Sequence, residues 1–249
     1  MNNFNNLQIN ISKLFKNLNF RKNLKHYNRP WILRFFYRFI IAVSYKIGLH
    51  HRLVNSGFIL TWFYEFRDYW SNVLGGRPLY LNDFYFLLGF FRIEYQNVKV
   101  DDNSSEVNFL NAWQNEKALY QLFGAIRRFS LEPLYCYRYE KWIKSGDRVL
   151  EYGCGVAPLA NSLLKYTLKL KLKITIADIQ QINSHFASWR LGKEVEFISL
   201  SPFKKNLTQK YDKIFLITVL EHLPNPLEVI KELKNALNNN GLLIFDYIK

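Results

Sequence analysis

Apolar positions along this chain change their spacing several times, and each change predicts an element. Residues 1–29 are Asn-rich and basic, with apolar side chains at Leu7, Ile11, Leu14, Phe15 and Leu18, a spacing compatible with an amphipathic helix. Residues 31–47 are mostly apolar but are broken by Arg34, Arg38 and Lys46. Residues 62–70 (Trp-Phe-Tyr-Glu-Phe-Arg-Asp-Tyr-Trp) read as helical, and Gly75-Gly76-Arg77-Pro78 as a turn before a mixed segment at 79–95. The polar run Asp101, Asp102, Asn103, Ser104, Ser105 predicts an exposed loop. A domain boundary is placed there, separating a mainly helical, aromatic-rich region (1–105) from a second domain (106–249). Residues 108–145 then predict one or two helices, broken at Glu132-Pro133.

The sharpest transition lies at residues 147–158. The short apolar run Val149, Leu150 ends in an acid, Glu151, breaks at Gly153 and Gly155, and re-enters a helical spacing at Leu159, Leu163 and Leu164. A strand, a tight loop and a helix start let a backbone approach a nucleotide closely. Glycine is needed because a Cβ would obstruct either the turn or the ligand. A dinucleotide fingerprint would carry a third glycine where this chain has Pro158, and it has no use for an acid at Glu151. A positively charged ligand is the better match.

These residues resemble the first motif of the class I S-adenosylmethionine-dependent methyltransferases, and the resemblance runs through most of residues 140–249. Lys173–Asp178 is similar to the second strand of that family, and residues 211–226 (containing Glu221-His222-Leu223-Pro224) to its fourth strand and the helix entry after it. Residues 231–247 then read as a helix, an Asn-rich turn with Gly241, and a fifth strand at 242–245. The resemblance implies an α/β fold, a Rossmann-like doubly wound sheet of about five parallel strands. Three departures stand beside it. Ala157 occupies a frequent third-glycine position. After the third strand (194–200) come Ser199, Leu200, Ser201 and Pro202, where the family often has an adenine-reading acid. The usual final strand hairpin is absent, so the edge of strand five is expected to be covered by the N-terminal region, a protein partner or self-association.

For the site, the resemblance implies that Gly153, Cys154 and Gly155 carry the methionine end of S-adenosylmethionine, with Glu151 helping to hold its amino group. Asp178 takes the ribose, Ile179 and Ser201 complete the cofactor-binding set, and Thr218 and Leu220 line the floor near the methyl group. Cys154 contributes backbone and shape. His222 is the candidate catalytic base, a structural role being the other reading of a histidine at a pocket edge, with Glu221 either orienting it or accepting a structural hydrogen bond. From the residues alone, Asp178 also reads as a cap for the helix after strand two, and Glu151 as a solvated strand-end acid. His185 reads as structural, and His50 and His51 lack carboxylate partners.

Composition narrows these readings. The chain has 249 residues, 49% hydrophobic and 17% aromatic, enough for a sizeable core. Two cysteines without a ligand cluster support neither disulfides nor a metal site, and a cytoplasmic setting is expected. The net charge is +14, yet the first carboxylate is Glu65; ten Lys and Arg precede it through Arg52. The basicity therefore belongs to one segment, which has two readings: peripheral contact with the inner membrane surface through residues 1–52, or packing of its aromatic side chains against the rest of the protein. A spanning helix needs roughly 20 predominantly apolar residues, and charges interrupt this one too often. The function expected is methyl transfer to a small-molecule, glycan or lipid-linked acceptor. The alternatives are a methyltransferase-like scaffold without catalysis and, as the poorer fit, an RNA methyltransferase: no recognisable RNA-binding motif accompanies the basic segment.

Overall fold

The computed structural model describes residues 31–96, 106–114, 118–201, 204 and 207–246. The helix expected within 1–29 and the boundary loop at 101–105 lie outside the described residues. The chain divides into two compact units, residues 1–99 with 115–135, and residues 100–114 with 136–249. Among the described residues six α-helices precede the sheet: α1 (Trp31–Lys46), α2 (His50–Asn55), α3 (Thr61–Asn72), α4 (Leu81–Gln96), α5 (Glu106–Gln114) and α6 (Leu119–Ser130). All but α5 belong to the first unit.

The first unit is built on aromatic packing. Leu119, Leu122, Phe123 and Ile126 recur on α6 at helical spacing and are all buried. Phe123 stacks on Phe84 at 5.0 Å and takes the edge of Phe66 at 4.8 Å, so the aromatic-rich stretch is a core. Gly76 is obligatory there, because a Cβ would sit 2.0 Å from the Trp70 indole nitrogen. His50 is buried with Nε2 on the Ser130 carbonyl at 3.0 Å, and burial lowers its pKa. Its role is structural.

The second unit holds a parallel sheet of five strands, β1 (Arg148–Tyr152), β2 (Lys173–Asp178), β3 (Glu196–Ser199), β4 (Tyr211–Leu216) and β5 (Leu237–Phe245), in the order β3-β2-β1-β4-β5. Helices α7 (Pro158–Tyr166), α8 (Ile182–Leu191) and α9 (Pro226–Asn235) supply crossovers that parallel pairing requires. Pro158 opens α7, where its missing N–H costs no hydrogen bond. β1 is flanked by β2 on one side and β4 on the other. The strand order therefore reverses beside β1, the place where open α/β sheets bind ligands at their carboxyl ends.

Two boundaries differ from expectation. β3 begins two residues late because Gly192–Glu194 form a 3₁₀ turn after α8. The Asn-rich segment expected as a turn is part of β5: Leu237 pairs with Tyr211, and the register then slips so that Leu242 pairs with Lys213. Asn240, at φ +63°, takes up the slack.

Candidate functional site

The loop after β1 is held in left-handed backbone at Gly153 (φ +66°), Gly155 (φ +51°) and Ala157 (φ +50°). The two glycines serve different purposes. A Cβ on Gly153 would lie 2.5 Å from Val219 Cγ2, so this glycine lets the loop close on the segment after β4. A Cβ on Gly155 would meet nothing within 4 Å, leaving its backbone bare toward open space. Ala157 tolerates its φ with the smallest possible side chain. Arg190, on the last turn of α8, donates to the carbonyls of Val156 and Ala157 and ties the loop down.

The two acids at the strand ends are buried rather than solvated. Glu151 accepts from Leu159 N (3.2 Å) and Ala160 N (2.8 Å), the first free amides of α7. Burial raises its pKa to about 7, with these hydrogen bonds and the nearby Arg190 opposing the rise. Asp178 Oδ2 accepts from Gly155 N at 2.7 Å, and Oδ1 from Ile179 N at 2.7 Å and Gln181 Nε2 at 3.0 Å. Burial lifts its pKa to about 6 despite those donors. It is not the α8 cap: that position is Gln181, whose N–H is taken by Ser184 Oγ. A carboxylate offers about four acceptor positions, so one on Oδ2 remains for a ligand hydroxyl.

The remaining predicted residues lie in the loop after β1 and on the segments after β3 and β4. Cys154 N bonds the Ala177 carbonyl at 3.1 Å, and burial beside both acids pushes its thiol well up, so it contributes shape rather than a thiolate. Ser201 follows β3, linked to the site through Leu200 N on the Asp178 carbonyl at 2.8 Å. Thr218 is a β-branched residue at φ +54°, a rare and strained backbone. Its N–H donates to Asp246 Oδ1 and its hydroxyl to the Ile217 carbonyl. Leu220 is buried and opens a 3₁₀ turn ending at His222. His222 is exposed; its ring stands edge-on to Trp113 at 5.4 Å. Among the described residues Glu221 makes no hydrogen bond to it, so the carboxylate does not orient the imidazole.

Four participants were not anticipated: Arg190, Gln181, Asp246 and helix α5. α5 brings Trp113 to His222 and Gln114 Nε2 to the Gln180 carbonyl at 2.6 Å, spanning the segments after β2 and β4. Its signal, Phe109, Leu110 and Trp113 at helical spacing, shows an apolar face without naming what it covers. No group of three His, Cys, Asp or Glu side chains among the described residues is arranged to hold a metal ion. What the structure sets out is a bare glycine backbone, a buried carboxylate with an unfilled acceptor position and a strained threonine, on loops at the switch point where open α/β sheets bind ligands.

Residues 115–249 match the family model described as a methyltransferase domain. The ubiquinone biosynthesis O-methyltransferase of Histophilus somni (strain 2336) is 28% identical over 106 residues, 41% of this chain and 44% of its own length. The tRNA U34 carboxymethyltransferase of Campylobacter curvus (strain 525.92) is 35% identical over 63 residues, 25% of this chain and 20% of its own. Among solved structures, a methyltransferase from Pyrococcus furiosus aligns at TM-score 0.38 and 16% identity, over 45% of this chain and 61% of that one. The chain spans about half the length of the ubiquinone-biosynthesis relatives it matches.

Proposed function

This chain belongs to the methyltransferase-domain family, and on that premise we propose that it transfers the methyl group of S-adenosylmethionine to a small-molecule, sugar or lipid-linked acceptor. The observation that carries the reading is the Gly155 N–H to Asp178 carboxylate bond at 2.7 Å, which joins the loop after β1 to the end of β2. It leaves an acceptor for ribose beside a backbone with nothing in front of it.

When bound, S-adenosylmethionine supplies a methyl group already activated on its sulfonium sulfur. The chain's own residues have three tasks: to desolvate the cofactor, to align the acceptor in line with the methyl group, and to take up a proton. The Gly153–Cys154–Gly155 backbone admits the methionine end. Glu151, whose two carboxylate oxygens are half used by α7, adds negative charge for its ammonium group. Asp178 accepts a ribose hydroxyl on Oδ2, with Ile179 and Ser201 on the adenine side. Thr218 and Leu220 form the floor. The name of the O-methyltransferase relatives supports a hydroxyl acceptor, and a hydroxyl must lose its proton as it attacks. His222 is the base for that step, removing the proton while Trp113 fixes the ring plane.

The test is transfer from methyl-tritiated S-adenosylmethionine to a panel of catechols, sugars and lipid extracts. Label in a hydroxyl-bearing acceptor, abolished in Asp178→Ala, is the expected result. Tight cofactor binding without transfer to any acceptor would favour the scaffold reading.

A further inference from the structure

Helix α1 buries a narrow stripe and leaves an apolar outer surface bare. Ile41 and Ser44 are its buried residues, with Tyr37 and Arg38 half-buried on the same side. The outer face presents Leu33, Phe35, Phe36, Phe39, Ile40 and Ile47, Phe35 being 60% exposed. A surface helix normally turns polar residues to solvent, and a contiguous apolar patch of this kind marks an interaction site. In the same unit α4 exposes Phe86, Phe90 and Ile93, four and three residues apart on one face, with Phe86 70% exposed.

Charge decides what the face meets. Lys46 and Arg52 are exposed beside it, and through Arg52 the chain carries ten Lys and Arg and no acid. A second copy would bring the same cationic surface to a chain of net charge +14. A bilayer with anionic headgroups offers what both features need, phosphates for the bases and an acyl boundary for the aromatic side chains. α1 has 16 residues and is interrupted by Arg38, and no described helix is long and apolar enough to cross a membrane. An in-plane seat is the geometry left to it. We propose that α1 is an interfacial helix that rests the first unit on an anionic membrane surface. This does not depend on the methyl-transfer reading.

The test is co-sedimentation of the full chain with phosphatidylcholine vesicles made with and without phosphatidylglycerol. Binding is expected only with the anionic lipid and should weaken as salt rises. Phe36→Asp/Phe39→Asp, both at exposed positions, should bind at least about tenfold more weakly while keeping the far-ultraviolet dichroism of the parent. Lys46→Glu/Arg52→Glu should lose the preference for phosphatidylglycerol. The proposal is overturned if the chain stays in the supernatant with every vesicle, or if Phe36→Asp/Phe39→Asp binds like the parent. It is also overturned if light scattering finds a dimer that this variant dissociates, which would make a second copy the occupant of the face.

Discussion

Gly153 and Gly155 are chemically identical, but the structure gives them separate jobs. Gly153→Ala combines an unfavourable φ with a clash on Val219, and should destabilise the fold by roughly 2–4 kcal/mol in chemical denaturation. Gly155→Ala meets open space, so its cost is the φ strain alone, about 1–2 kcal/mol; its main effect should be weaker cofactor binding in titration. Equal stability losses would contradict the assignment. The sequence pattern locates both glycines but cannot separate them, since Val219 lies more than sixty residues away in the chain. Asp178 adds a pH signature. Cofactor hydroxyls favour the carboxylate, whose pKa in the free protein is about 6. Glu151, at about 7, titrates in the same site, so affinity should level off only well above pH 7 and fall as pH drops through about 7 and then about 6, by up to about tenfold per pH unit for each acid. A profile flat to pH 5 would remove the carboxylate from the site. For the proton-accepting role, His222→Gln should reduce kcat by about 10²- to 10⁴-fold on hydroxyl acceptors with little change in cofactor affinity. An unchanged kcat would make the residue structural.

At the scale of elements, the strand–loop–helix at the start of the sheet was readable because its signals are local: a hydrophobic run, two turn glycines and the helical spacing of Leu159, Leu163 and Leu164. The parallel sheet of about five strands followed from the resemblance. What stayed hidden depends on distant partners. The Asn run at 238–240 has turn composition, but pairing beside β4 draws it into β5 and only the register slip at Asn240 survives as a break. Asp246 shows its purpose only when β5 brings it under the Thr218 amide. α5 is the clearest case, since its apolar residues join the sheet's core while Trp113 and Gln114 reach the segments after β4 and β2. Cofactor binding that fixes the Asp178–Gln181 segment should slow amide hydrogen exchange in α5. No change there on adding S-adenosylhomocysteine would show that the helix is indifferent to the site.

At the scale of the whole molecule, two features separate cleanly: a cationic, aromatic segment in the first unit, and two buried acids in the second. The acids make the unliganded fold sensitive to pH. Folding raises the pKa of Asp178 to about 6 and of Glu151 to about 7, so the folded chain holds protons that the unfolded chain has released. Their contribution to stability is therefore greatest near pH 4 and is lost as pH rises to about 7, each acid giving up at most about 1.4 kcal/mol for every pH unit crossed. The Cys154 thiol faces the same pair, and its raised pKa keeps it out of that window. Asp83 and Asp212 act in the opposite sense, their pKa values being lowered, and take over only in more acidic solution. Asp178→Asn should flatten the decline of stability between about pH 4 and 6 and leave the Glu151 decline toward pH 7 in place; an unaltered slope below pH 6 would contradict the burial of a titrating acid there. The most direct measurement of all is calorimetric titration of the full chain with S-adenosylmethionine and S-adenosylhomocysteine. Saturable binding of both, lost in Asp178→Ala, is the expected result. A folded chain that binds neither, or an Asp178→Ala variant that binds as the parent does, would contradict a cofactor site at the ends of β1 and β2.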